Sequence, residues 1–301
     1  MLPHFICIGA QKSGTTWLYY NLKDHPQIWL PPLKELRYFR IKEPYPWLLY
    51  LFNNHPRRRR LLAIMRKKAL PDAMRLKNIR WYLRYICLPR SDNWYAALFS
   101  PKEGQIAGDI CPSFARLDES RVADIYALMP NLKIIYLLRN PINRLWSQAV
   151  MQHTRRHNQS LHTIRDEEMK AFLDAPHPPE HGQYLRVLQI WEQLYPREQI
   201  FIGFFEQLVQ NPRQLLSDIY QFLEMDSSEQ YIPEEVDKKV YPGAYSQLPA
   251  HWAHYLAQQH HEEIKRLHDR FNNSWTASWL AFAEQHLSSK SKAEHKTTEV
   301  D

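Results

Sequence analysis

The sequence predicts an α/β protein built on a mostly parallel central sheet flanked by helices. Three observations lead there. Short runs of β-forming residues, at positions 5–8 (FICI), 133–138 (KIIYLL) and 199–204 (QIFIGF), alternate with longer stretches of helical period. The run at 133–138 lacks polar alternation, as a strand covered on both faces would. Seven Gly against 21 Pro in 301 residues favour helices and stiff loops over a glycine-rich barrel. With 44% hydrophobic residues the chain can bury a large core, and we expect a single domain over residues 1–287. A basic helical insertion is expected within it at about 41–100, and a disordered tail after it at 288–301.

The first element organises the rest. Residues 5–8 stop at Gly9, a loop of small residues with one lysine follows, and from Thr15 the sequence turns amphipathic. Strand, glycine loop and helix together aim loop amides and a helix dipole at an anion. The spacing Gly9-x4-Gly14 matches the first half of a P-loop, and helices on both faces of a parallel sheet would make the fold P-loop-NTPase-like and three-layered. The second half of that motif differs. A nucleotide triphosphatase has lysine directly after the second glycine and then a hydroxyl residue for Mg²⁺. Here Lys12 lies two residues before Gly14, and Thr15 and Thr16 follow it. Taken alone, the loop is also compatible with an ordinary βα turn.

Residues 25–39 carry Pro26, Pro31 and Pro32, which exclude a regular helix and predict an extended connector. Its charged centre, Lys34-Glu35, sits among Leu33, Leu36, Tyr38 and Phe39. The pair reads either as a solvated loop pair or as a general base, Glu35, held beside aromatic residues near an anion site. From about 41 to 100 the chain is much more basic, with RRRR at 57–60 and apolar residues at helical spacing (Leu61, Ile64, Met65; Ile79, Leu83, Ile86). This block reads as a solvated insertion, a cap that binds the acceptor, or an amphipathic surface for anionic lipid. A short strand follows within 104–114, then a helix starting near Asp118 and closed by Pro130. The strand at 133–138 delivers Arg139 to its carboxyl end, where ligands bind in open α/β sheets, and the next helix carries Arg144 and Ser147. Helices are expected at 183–194, 212–223 and 249–271, with a strand at 199–204. The tail at 288–301 is polar and aperiodic.

Composition excludes several classes. Three scattered cysteines make no disulfide framework, and the fifteen histidines are mostly isolated, so no metal site is expected. Met1 runs almost directly into the first strand, without a leader, and no apolar run reaches the roughly 18–20 residues of a spanning helix. We therefore expect a cytoplasmic protein, with peripheral membrane association open. A net charge of +7 fits an anionic partner without choosing among nucleotide, acidic glycan, nucleic acid and lipid.

Two motifs in order narrow the choice. Gly9-Ala10-Gln11-Lys12-Ser13-Gly14-Thr15-Thr16-Trp17, followed by residues 132–147, resembles the sulfotransferases that use 3′-phosphoadenosine 5′-phosphosulfate. The first stretch is similar to their 5′-phosphosulfate loop. In the second, an arginine and a serine eight positions later bind the 3′-phosphate, the spacing of Arg139 and Ser147. Lys34-Glu35, Gly182-x-Tyr184 and residues 204–223 agree more loosely, and the resemblance covers nearly the whole chain except the insertion and tail. Lys-Glu followed by aromatics is nearest the carbohydrate branch acting on heparan sulfate. It implies Glu35 as catalytic base, Lys12 stabilising the leaving phosphate, and donor contacts from Lys12, Ser13, Gly14, Thr15, Thr16, Trp17, Arg139 and Ser147.

The implied co-substrate is 3′-phosphoadenosine 5′-phosphosulfate, with no metal and no nucleic-acid partner, and the implied acceptor is a hydroxyl or amine of a carbohydrate or glycolipid. Two departures stand out. That branch often has a lysine in the strand matching Gly108-Asp109-Ile110-Cys111-Pro112, where this chain has Ile110. Its disulfide-associated loop is also missing near 241–249, which leaves adenine contacts unassigned. The alternatives are a P-loop kinase, disfavoured by the displaced lysine and the lack of a clear Walker-B acid, and a basic membrane- or glycan-binding protein.

Overall fold

A computed structural model describes residues 1–40, 78–157, 165–175, 182–238 and 247–297. Five strands form one sheet in the order β2-β3-β1-β4-β5: β1 Phe5–Gly9, β2 Ile28–Trp29, β3 Ile106–Ile110, β4 Lys133–Leu138 and β5 Ile200–Phe204. Every pairing is parallel, with Phe5 opposite Gly108 on one side of β1 and opposite Lys133 on the other. The chain leaves β1 toward the β3–β2 edge and later returns to its other side as β4. The carboxyl end of β1 is therefore the place where the order reverses, the crevice where such sheets bind ligands.

Alternation along the strands builds two cores. Ile6 and Ile8 of β1, with Ile134, Tyr136 and Leu138 of β4, face one layer. Phe5 and Cys7, with Ile135 and Leu137, face the other, where Trp17, Leu18, Leu215 and Ile219 cover them. All these residues are buried, so both strands are apolar apart from Lys133 at the start of β4, and the expected three-layer α/β arrangement is what the chain adopts.

Helices connect the strands: α1 Thr15–Lys23, α2 Ile79–Cys87, α3 Asp92–Ala97, α4 Glu119–Leu128, α5 Pro141–His157, α6 Asp166–Leu173 and α7 Tyr184–Glu192. After β5 come α8 Phe205–Gln210, α9 Pro212–Phe222, α10 Ala250–Phe271 and α11 Ser274–Thr297. Their starts follow capping chemistry. Asp118 accepts from Arg121 N–H at the head of α4, and Asn211 accepts from Gln214 N–H before the Pro212 that opens α9.

Two local readings change. The face of α2 expected to pack, from Ile79 and Leu83, is exposed (52% and 54%), while Trp81 and Tyr85 are buried. Those two rings stack on each other at 5.4 Å, and Tyr85 lies against Trp94 of α3; large rings bury more area than the aliphatics and win the inner face. The segment 78–100 thus contributes to the core. Residues 57–70, with Leu61, Ile64 and Met65, lie outside the described residues, as does most of the 239–249 loop. At the other end, α11 continues through 288–297, where an unstructured tail was expected: nothing between Ser274 and Thr297 is Gly or Pro, so no residue stops the helix.

Candidate functional site

The loop after β1 is held from below by Ala10 N–H donating to Leu137 O at 2.7 Å. It turns through Lys12 (φ 74°) and closes at Gly14 (φ 90°), which precedes α1 without a side-chain cap. The first intrahelical bond is Leu18 N–H to Gly14 O, so the amides of the first helical turn have no acceptor within the helix. No acidic residue occupies that turn, which leaves the positive end of the dipole for an anion. Gly14 fits because a Cβ there would lie 2.5 Å from Leu208 Cδ1 of α8.

Arg139, at the end of β4, donates through Nη1 to Lys12 O at 3.0 Å. The loop after β1 and the end of β4 therefore meet directly. Its guanidinium lies over the Phe205 ring at 4.4 Å, and its carbonyl accepts from Tyr184 OH at 2.8 Å. Burial lifts the Tyr184 hydroxyl to about 12, against the pull of Arg144 and of that hydrogen bond, so it stays a donor. Asn140 Oδ1 caps α5 by accepting from Ile142 N–H, and its own N–H donates to Glu206 Oε1 at 3.1 Å. Burial raises Glu206, opposed by that Asn140 N–H.

Ser147 lies half-buried on α5, six residues beyond Pro141 and about 9 Å further along the axis. Between them Arg144 is wholly buried and donates to Gln148 Oε1 at 2.7 Å; burial lowers its guanidinium.

The third component comes from the connector after β2. Glu35 N–H donates to Ile110 O at 3.1 Å, docking the loop on the carboxyl end of β3. Lys34 Nζ reaches the head of α1, donating to Thr15 Oγ1 at 3.1 Å and Thr16 Oγ1 at 2.9 Å. The Glu35 carboxylate goes the other way and accepts from Arg37 Nε at 3.1 Å and from Arg37 Nη2. Burial would lower the Arg37 guanidinium, but the Glu35 charge outweighs it and leaves it raised. Glu35 (φ 63°) and Arg37 (φ 58°) both have left-handed backbones, and Arg90 Nη2 braces the turn through Leu36 O and Arg37 O.

Lys12, Gly14, Thr15, Thr16, Arg139 and Glu35 thus lie at one end of the sheet. Ser13 is fully buried in the loop beside the Tyr184 hydroxyl. Trp17 turns inward: its indole Nε1 donates to Val236 O at 2.8 Å, so only its backbone faces the loop. Arg37 was missed in the sequence, although its place two residues after Glu35 is a visible signal. Asp109, fully buried, accepts from Tyr95 OH at 3.2 Å, and Tyr38 stacks on Tyr95 at 4.9 Å.

Comparison with known proteins agrees. Residues 2–294 match the family model "Sulfotransferase domain". The bifunctional heparan sulfate N-deacetylase/N-sulfotransferase of Drosophila melanogaster is 25% identical over 239 residues, covering 74% of this chain and 20% of that protein. Human carbohydrate sulfotransferase 15 is 23% identical over 266 residues, 74% of this chain and 44% of that protein. The membrane-associated sulfotransferase kil1 of Dictyostelium discoideum is 27% identical over 147 residues, 49% of this chain and 22% of that protein. The chain therefore spans about a fifth to under half the length of these relatives. Among solved structures, a sulfotransferase from Alicyclobacillus acidocaldarius superposes with a TM-score of 0.62 at 22% identity, covering 93% of this chain and 99% of that one. With a family model spanning nearly all of its length, the chain belongs to the sulfotransferase family.

Proposed function

We propose that this chain transfers a sulfuryl group from 3′-phosphoadenosine 5′-phosphosulfate to a hydroxyl or amine of a carbohydrate or glycolipid. The observation that carries the reading is the Arg139–Lys12 hydrogen bond, which joins the two phosphate motifs at the sheet crevice. The residues fit a donor with two separate phosphate groups. Uncapped amides of α1 and the Lys12 loop suit one, and Arg139 with Ser147 on α5 suits the other.

The donor supplies an activated sulfuryl group, and the chain supplies position and charge. Glu35 takes the acceptor proton, while Lys12 and the α1 amides meet charge developing on the leaving phosphate. With a cation already in the loop, no divalent metal is needed there. Relatives named for heparan sulfate and carbohydrate support the acceptor class.

The test is a panel of carbohydrate, glycolipid and simple hydroxyl acceptors with radiolabelled donor, wild type against Glu35→Gln, with and without EDTA. Transfer to a carbohydrate-type acceptor, abolished in the variant while adenosine 3′,5′-bisphosphate still binds and unaffected by EDTA, is the expected result. A fully active Glu35→Gln protein overturns the base assignment.

A second reading concerns location. No helix among the described residues is long and apolar enough to cross a membrane. On α2, however, Ile79 and Leu83 are exposed beside Arg80 and Arg84, a pattern suited to lying against anionic lipid from the cytoplasmic side.

A further inference from the structure

The end of β4 depends on a side chain outside the donor contacts. Pairing with β1 runs to Tyr136 opposite Gly9, and pairing with β5 to Leu138 opposite Phe204. Arg139 follows at once, half-buried, and its backbone N–H and C=O both require partners. One hydroxyl meets both. Tyr184 OH donates to Arg139 O at 2.8 Å and accepts from Arg139 N–H at 3.4 Å. The next residue is held in the same manner, since Asn140 N–H donates to Glu206 Oε1 at 3.1 Å. Side chains of α7 and α8 thus continue the hydrogen bonding of β4 beyond its last strand pairs.

Packing fixes the Tyr184 ring. The residue is fully buried at the first position of α7, its N–H donates to Gly182 O at 2.8 Å, and its ring meets that of Tyr136 edge-on at 5.8 Å. With its one proton given to Arg139 O, the oxygen has room to accept twice. Arg139 N–H takes one place, and Ser13, fully buried in the loop after β1, lies beside the same oxygen. The consequence is geometric. Fixing the Arg139 peptide fixes where its side chain leaves the strand, and that side chain lies on the Phe205 ring at 4.4 Å and reaches Lys12 O at 3.0 Å.

We propose that Tyr184 is a positioning residue for the donor: its hydroxyl sets the spacing between the loop after β1 and the end of β4, so that two phosphate groups of one ligand are met at once. This rests on the donor reading above. Tyr184 touches no reacting atom. A ligand with both phosphates requires both limbs in register, whereas a ligand with one phosphate follows either limb as it shifts. The hydroxyl therefore matters to the first ligand and little to the second.

The experiment measures affinity for adenosine 3′,5′-bisphosphate, adenosine 5′-monophosphate and adenosine 3′-monophosphate by calorimetry, together with thermal melting. Tyr184→Phe keeps the ring and its contact with Tyr136 and removes only the hydroxyl, so it is expected to fold and to melt somewhat lower. It should bind the bisphosphate about 10-fold more weakly, the scale of one lost hydrogen bond, and each monophosphate less than about 3-fold more weakly. In an Arg139→Ala background the same substitution should change bisphosphate affinity less than about 2-fold, because the side chain it aims is gone. A purely structural tyrosine would weaken all three ligands alike and act additively with Arg139→Ala. Either result overturns the proposal, as does wild-type bisphosphate affinity in Tyr184→Phe. If Tyr184→Phe does not fold, Ser13→Ala decides, since it removes the hydroxyl on the loop side of the same contact. A loss confined to the bisphosphate supports the proposal; no loss, or an equal loss for adenosine 5′-monophosphate, overturns it. A wild type that binds none of the three nucleotides sinks the donor reading itself, whereas a binding wild type beside an unaffected variant sinks only the role of Tyr184.

Discussion

Arg139 Nη1 donates to Lys12 O at 3.0 Å, joining positions 127 residues apart at the carboxyl ends of β4 and β1. The guanidinium therefore braces the loop as well as facing the crevice. Its planar fork lets one nitrogen hold the carbonyl while others address an anion.

Arg139→Ala is expected to weaken adenosine 3′,5′-bisphosphate binding by about 10- to 100-fold, from a charge-assisted bond worth about 1.5–3 kcal/mol. Turnover at saturating donor should fall less than affinity. Arg139→Lys should recover only part of the affinity, because it keeps the charge and loses the fork. Calorimetry on the three proteins checks this, and an unchanged dissociation constant in Arg139→Ala counts against the assignment.

Gly14→Ala is expected to lower both thermal stability and bisphosphate affinity. The residue sits at φ 90°, where a side chain costs about 1–3 kcal/mol, and its Cβ would lie 2.5 Å from Leu208 Cδ1. Adding Leu208→Ala removes the clash and leaves the backbone cost, so the double variant should recover part of the loss. Melting curves separate the two causes; full recovery would show that φ is not limiting.

The contrast between Gly14 and α2 shows what the sequence could reveal. Glycine spacing, the apolar run of β4 and the Arg139–Ser147 interval are local signals, because strand burial and loop geometry leave a trace in residue type. So the sheet, its helical layers and the glycine loop between β1 and α1 could all be read. The inner face of α2 could not. Both Ile79/Leu83 and Trp81/Tyr85 fit a helical period, and only the rings of α3 decide which pair is buried. Arg37 was hidden for another reason, as was the direction in which Lys34 points. Charged residues beside one another in a proline-rich connector look solvated until the left-handed turn at Glu35 and the Glu35–Ile110 hydrogen bond fix their directions.

The exposed side of α2 gives a further test. Vesicles containing anionic lipid should sediment the wild type, and Ile79→Glu with Leu83→Glu should abolish this without changing the melting temperature, since Trp81 and Tyr85 hold the helix to the core. Neutralising Arg57, Arg58, Arg59 and Arg60 should reduce binding in low salt. Equal sedimentation by neutral vesicles would remove the electrostatic part of the reading.

His260 predicts the acid side of the stability curve. Its ring, on α10, is held down to about 4 from the usual 6.5, first by burial and then by the nearby Arg144 guanidinium. The folded protein therefore keeps it neutral while the unfolded chain protonates it. Its contribution is fully present above pH 6.5 and is lost as pH falls from 6.5 through about 4. A shift of this size corresponds to roughly 2–4 kcal/mol across the window. His260→Gln cannot titrate, so its melting temperature should fall less steeply than that of wild type between those limits, with parallel curves above them. Glu263 on the same helix is raised by burial and works in the opposite sense, but it is present in both proteins and cancels in the comparison. Curves that stay parallel through the whole window would mean that the His260 ring is charged in the fold, beside Arg144, at a cost the packing does not otherwise show.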